Sequence, residues 1–284
     1  MKKDSNSGWD LLIEPKKGLF DINLGDIWRY RDLILLFVKR DFVVLYKQTI
    51  LGPLWYLIQP IFTTFVFTMV FGKMAKLSTD GIPPFLFYMS GTIAWNYFAS
   101  SLNGTSNTFI NNASIFGKVY FPRLVIPIST VIINMAQFLI QLILFLLVYI
   151  YYISAGFDMQ LTMWLVGIPF ALLQMACLGL GVGILISSFT TKYRDLVFLM
   201  TFGVQLWMYA TPVVYPASMI PKEYLTLYML NPMVSIIETF RIAFLGQGTL
   251  EVGYYIQSWA ITIFILIVGI LSFHKVERSF MDTV

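Results

Sequence analysis

Hydrophobic and polar positions along this chain fall into long blocks. Six apolar runs stand out, at roughly 51–72, 85–103, 124–153, 161–188, 196–214 and 255–274. Each is close to or above the ~20 residues that a helix needs to cross a bilayer. Unbroken runs predict helices, because a membrane barrel would show segments of about ten residues with alternating polarity. The third and fourth runs exceed the minimum, which predicts tilt or protrusion. The fold class expected is an all-α integral membrane protein with six transmembrane helices. Its divisions are an N-terminal segment at 1–27, an amphipathic interface helix at 28–50, a single six-span domain at 51–274 and a tail at 275–284.

The interface helix is read from WRYRDLILLFVKRDFVVLYK, residues 28–47, where charged clusters alternate with apolar blocks. At helical spacing Arg29, Asp32, Lys39, Arg40 and Lys47, with Arg31 beside them, fall near one broad face. Leu35, Phe42 and Leu45 lie towards another. Such a helix lies in the membrane interface with its basic side on anionic headgroups, as a plain anchor or as a place where a partner docks.

Four further stretches carry information. TILGPLWYLIQPIF starts the first span through Gly52-Pro53 and places Pro60 inside it, where a kink is expected. GTSNTFINNASIFGKVYFPR, 104–123, separates the second and third spans. Asn111 to Phe116 suits one or two helical turns that dock on a soluble partner, the alternative being a solvated linker. CLGLGVGILISS spaces Gly179 and Gly183 as a small-xxx-small face for close helix packing. It lacks the strand and acidic residue of a dinucleotide fingerprint, and no phosphate-loop motif occurs anywhere.

LNPMVSIIETFRIAF, Leu230 to Phe244, is apolar apart from Glu238 and Arg241. Asn231-Pro232 reads as a helix start and Gly246 as its end, giving about 14 residues, too few to span. At i, i+3 the two charges share a face and can pair. On a surface such a pair is worth a few tenths of a kcal/mol; in a re-entrant helix it depends far more on its partner. A short outer gate helix oriented by this pair is the reading adopted.

Composition narrows the class. Hydrophobic residues make up 58% of the chain and charged residues 12%, against about 25% charged in soluble domains, so lipid must be the main solvent. Single Cys177 and single His274 exclude an intramolecular disulfide, a Cys/His metal cluster and a Ser-His triad. No catalytic residue and no metal site is expected. With the N-terminus inside, fifteen of the nineteen Lys and Arg residues fall in cytoplasmic pieces, which places both termini inside. All fifteen acidic residues lie outside the six spans, unlike the mid-membrane acids of ion-coupled transporters. Any transport energy must then come from another subunit. Aromatic residues reach 17%, and Trp95, Tyr97, Phe98, Trp207, Tyr209 and Tyr215 gather near outer span ends as an interfacial belt or a sugar-binding track.

Four blocks in order resemble a known family: RDLILLFVKRDFVVLYKQTILGPLWYLIQP, INNASIFGKVYFPRLVIP, SSFTTKYRDL, and TPVVYPASMIP followed by LNPMVSIIETFR. They resemble the membrane subunits of ABC-2 type exporters, in the group that exports O antigen, capsule or teichoic acid polymers. The resemblance implies six spans, an N-terminal interface helix and short re-entrant helices between spans five and six. It implies a homodimer in the bacterial inner membrane, with one separate nucleotide-binding ATPase docked on each copy. ATP and Mg would be held by that partner, and no cofactor by this chain. Coupling would run through Asn111, Asn112, Ile115, Phe116 and Lys118. An undecaprenyl-linked polysaccharide, O antigen foremost, would pass a channel lined partly by aromatics. Competing readings are an ABC-2 exporter of drugs or lipids and a membrane enzyme acting on lipid-linked sugars, whose catalytic cluster is not evident. No nucleic-acid partner is expected.

Overall fold

The computed structural model describes residues 24–47, 52–157, 159–193 and 195–280. Among them the chain is helical, without a strand. In order the α-helices are α1 (Leu24–Arg29), α2 (Arg31–Lys47), α3 (Trp55–Phe67), α4 (Pro84–Ser106), α5 (Thr108–Phe116), α6 (Val125–Ser154), α7 (Ile168–Thr190), α8 (Leu196–Tyr209), α9 (Lys222–Tyr228), α10 (Pro232–Leu245) and α11 (Val252–Phe280). A π-helical turn, Thr68–Met74, prolongs α3, and a 3-10 turn, Met163–Gly167, leads into α7.

Among the described residues, four helical stretches are long and apolar enough to cross a membrane: Trp55–Met74, Val125–Ser154, Met163–Thr190 and Val252–Glu277. The expected second and fifth spans behave differently. Helix α4 has 23 residues, about 34 Å at 1.5 Å per residue, but carries Ser, Thr and Asn along its length. Most of it is buried against its own chain, where hydroxyls bond back to helix carbonyls, as Ser90 does to Phe87 and Thr105 to Ser101. A helix wrapped by protein does not need an all-apolar surface. Helix α8 stops after 14 residues, and the chain turns at 210–216 instead of continuing to 214 as a helix. The expected interface helix at 28–50 is divided at Tyr30 into α1 and α2, and residues 48–50 lie outside the described part.

Helix α4 sits at the centre, between α6, α7 and α10. The glycines of α7 set these distances. A Cβ at Gly179 would stand 3.0 Å from Ser101 Cβ of α4, and one at Gly183 would overlap Thr105 Oγ1. Gly181 points the other way, and a Cβ there would stand 2.8 Å from Leu266 Cα of α11. The small-residue face expected at 179 and 183 is thus real, and the residue between them serves a second helix. Two hydrophobic cores result. The larger runs through α4, α6, α7 and α10, and the smaller gathers α2, α5, the start of α6 and the end of α11.

Candidate functional site

Helix α10 begins and ends as its residues dictate. Asn231 Oδ1 accepts from the N–H of Met233, Pro232 occupies the first turn, and Gly246 closes the helix in the left-handed region at φ 69°. Every residue of the helix except Ile242 is buried, so Glu238 and Arg241 lie in the protein core. Arg241 Nη1 donates to Glu238 Oε1 at 3.3 Å, and its Nη2 to Val213 O at 3.2 Å. The guanidinium carbon lies 3.7 Å from the ring centroid of Phe87 on α4. Glu238 Oε2 accepts from the N–H of Thr249 at 2.8 Å. Each charge is therefore bonded to its counter-charge and to one main-chain group, which offsets part of the cost of burying the pair, while Arg241 Nε has no hydrogen-bond partner.

Asn231 does more than cap. Its Oδ1 also accepts from Trp207 Nε1 at 3.1 Å, and its Nδ2 donates to Ala210 O and Thr211 Oγ1. One side chain thereby ties the end of α8 to the start of α10. Beyond it, Ser218 Oγ donates to both carboxylate oxygens of Asp80 at 3.0 and 2.9 Å. Asp80 and Gly81 both have positive φ, with Ile82 N–H closing on Thr79 O at 3.0 Å, the Asp-Gly form of a type I′ turn.

The six aromatics expected to line a channel separate on this framework. Trp95, Tyr97 and Phe98 are buried within the chain, at 4%, 3% and 0% exposure. They sit in the middle of α4, not near a span end, and touch Trp207 and Phe138. Trp95 and Phe98, at i and i+3, share the face that meets Trp207, while Tyr97 points to another side and meets Phe138, and a central helix has protein on both. In this conformation none of the three presents a surface to a channel. Trp207 and Tyr215 are half-buried, and Tyr209 is exposed at 51%.

At the other end of the bundle lies α5. Asn111 and Lys118 are exposed, Asn112 and Ile115 half-buried, and Phe116 is buried at 3%. Phe116 therefore belongs to the protein's interior and not to a docking surface. Phe109, Ala113 and Phe116 recur at i, i+4, i+7, the spacing of an inward helix face. Phe109 stacks on Phe273 of α11 with centroids 4.5 Å apart and planes at 25°. Phe116 touches Phe109 and Phe121, and Phe121 reaches Phe37 of α2 at 6.0 Å. Arg123 lies over Phe116 at 5.3 Å, and its N–H donates to Glu277, which also meets His274. Burial lowers the Arg123 pKa from its ordinary value, against the pull of Glu277. Besides Asn111 and Lys118, the outward side carries Val119 and Tyr120, exposed apolar residues that the sequence reading passed over.

On α2 the cations Arg31, Lys39, Arg40 and Lys47 are exposed, as is Arg29 on α1. The apolar faces are corrected. Ile34 and Phe37 are the buried stripe, Phe42 is half-buried, and Leu35 points outward with Leu36 beside the cations. A helix docked on a bundle needs only a narrow i, i+3 stripe, so its remaining apolar residues stay available to lipid. Among the described residues no three His, Cys, Asp or Glu side chains gather to hold a metal.

Comparison with known proteins adds to this geometry. The profile of the ABC-2 type transporter family matches residues 32–245. Two O-antigen export system permease proteins (RfbA) of Klebsiella pneumoniae are similar over nearly the whole chain. One is 33% identical over 265 residues and the other 31% over 263; each match covers 92% of this chain and 96% of the relative. The polysialic acid transport protein (KpsM) of Escherichia coli is 23% identical over 244 residues, covering 82% of this chain and 89% of its own.

Proposed function

The chain belongs to the ABC-2 type transporter family, and from that premise we propose that it is the membrane subunit of an ATP-driven polysaccharide exporter, with O antigen as the polymer moved. The observation that carries this reading is the match to O-antigen permeases along 92% of the chain, so that no large part is left for a different activity. A capsular polymer is the second reading, favoured by the more distant similarity to the polysialic acid transport protein.

Several finer features complete the proposal. The chain crosses the bacterial inner membrane six times, with α4 and α8 as the second and fifth spans and both termini in the cytoplasm. The positive-inside bias of Lys and Arg supports this orientation. Helices α9 and α10 form the re-entrant pair on the outer side. Two copies of the chain pair, and each docks one ATPase that holds ATP and Mg. Helix α8 supports the pairing: only Val204 of its fourteen residues is buried, while Phe198, Leu199, Phe202, Leu206 and Tyr209 are exposed. The thin packing leaves α8 a face for the second copy, with the polymer on its undecaprenyl carrier passing nearby. Exposed Asn111, Lys118, Val119 and Tyr120 form the surface offered to the ATPase.

Deletion of the gene tests the reading. Surface polymer should disappear while carrier-linked polymer accumulates inside the cell, and the wild-type chain should restore it. A deletion strain with normal surface polysaccharide would sink the proposal, and the chemical identity of the accumulated glycan separates O antigen from capsule.

A further inference from the structure

The buried charge block around α10 and the ring stack around α5 lie at opposite ends of α11, and each is fastened to that helix by a buried side chain. Towards its start, Ser258 Oγ donates to Pro232 O in the first turn of α10 at 3.1 Å. Gln174 Nε2 of α7 donates to the same Ser258 Oγ at 2.6 Å, fixing it from behind. Towards its end, Phe273 stacks on Phe109 of α5. Both Ser258 and Phe273 have 0% exposure. The distance between positions 258 and 273 along the helix is about 22 Å at 1.5 Å per residue.

The stretch between these positions contains no proline, and Gly269 presses on the Gly181 carbonyl of α7, where a Cβ would not fit. A continuous helix with its main-chain hydrogen bonds intact moves as one body over this length. Helix α5 is short, follows α4 after Asn107 alone, and buries Thr108, Phe109 and Phe116 against the bundle. A displacement of α5 reaches α4 through the chain, α7 through the Phe109 N–H that donates to Ser187 Oγ, and α2 and α11 through those two rings. Phe116 leads by way of Phe121 to the surface helix α2, and Phe109 leads to α11.

We propose that α11 is the strut that carries displacement of α5 to α10, and that Phe273 is the positioning residue that seats the strut on α5. This rests on the exporter reading, in which α5 is the element that a partner ATPase moves. Phe273 touches neither polymer nor nucleotide; it acts by holding α11 to Phe109. Ser258 completes the path at the far end, where one hydroxyl joins α7, α10 and α11.

The test uses the full chain in complex with its ATPase partner in lipid nanodiscs. A Cys177→Ala, Leu230→Cys background carries a spin or fluorescent label at 230, an exposed position two residues before Pro232. ATP should change the label's signal in this otherwise wild-type complex. In Phe273→Ala the ATP-dependent change should fall at least ~5-fold, the lower end of ordinary coupling between sites, while ATP hydrolysis continues. Phe273→Leu keeps most of the volume without the ring face and should fall in between; it replaces the Ala variant if that one fails to assemble. A purely packing role would instead lower assembly, hydrolysis and export together. An unchanged signal at 230 in the Phe273 variants, or a label in the parent complex that ignores ATP, overturns the strut. A parent complex that neither hydrolyses ATP nor exports polymer strikes the exporter reading first, so the two failures are distinguishable.

Discussion

At the α10 end a carboxylate and a guanidinium are buried together, each bonded to a main-chain group, with Asn231 tying two helices beside them. At the α5 end five phenylalanine rings, at 37, 109, 116, 121 and 273, join three elements, with the buried Arg123 resting on Phe116 and its main-chain N–H bonded to Glu277. The two ends solve one problem, fixing a short helix to a bundle, with different physics. Charge and hydrogen bonds are directional, so the first end specifies orientation closely and fails when a single partner is lost. Ring packing is governed by shape and volume, so the second end tolerates a substitute of similar size. In an exporter the contrast suits the two places. If the exporter reading holds, directional bonds suit a block that returns to one arrangement, and ring surfaces suit a block that follows a docked partner.

The largest effect that would sharpen this contrast is expected at Glu238. Glu238→Ala leaves Arg241 buried without its counter-charge and should cost about 3–5 kcal/mol, read as loss of folded protein and a lower unfolding temperature in detergent. Replacing both Glu238 and Arg241 with Met should cost less than the single change. Equal losses would show that the pair is not the unit holding α10. Next comes Phe116→Ala, expected to cost about 3 kcal/mol, with Phe116→Leu below ~1.5 kcal/mol, measured in the same way. If Leu is as harmful as Ala, the α5 end is not held by volume and the contrast breaks.

Asn231→Ala should be milder, about 2 kcal/mol, because it removes a cap and side-chain bonds but no charge. In a variant that keeps Trp207 and carries Phe at the other six tryptophans, fluorescence reports the released indole N–H, and an unchanged spectrum and stability would argue against the α8–α10 tie. The smallest effect on stability is expected at the exposed residues Asn111 and Lys118, within ~0.5 kcal/mol when changed to Ala. Export with the ATPase partner should nonetheless fall in the double variant. Full export would remove the outward side of α5 from partner docking and leave only its inner face with a role.

Several of these features were legible before any coordinates. Asn231-Pro232 and Gly246 marked both ends of α10, since capping is decided by residues next to each other in the chain. The inward face of α5 is present in the spacing of Phe109, Ala113 and Phe116, but spacing does not say whether Phe116 meets a partner or the chain's own core. The outward position of Leu35 is hidden for a related reason. On a helix that has protein on one side and lipid on the other, apolar residues occupy both faces, and periodicity alone does not separate them. Trp95, Tyr97 and Phe98 were assigned to a channel because aromatics suit lipid interfaces, sugars and protein cores alike. Only the position of α4 at the centre of the bundle distinguishes these uses.

Sequence by itself determined the helical class, the long apolar segments and the ends of the short helices. Those properties depend on composition, on charge and on residues within about one turn of each other. Tertiary structure alone decided that the Glu238–Arg241 pair lies in the core, that Arg241 rests on Phe87, and that Phe109 meets Phe273. It also decided that α4 is wrapped by protein while α8 remains open. Each of these joins residues far apart in the chain whose meeting depends on how helices cross, and a one-dimensional pattern does not encode which of several apolar faces receives which neighbour.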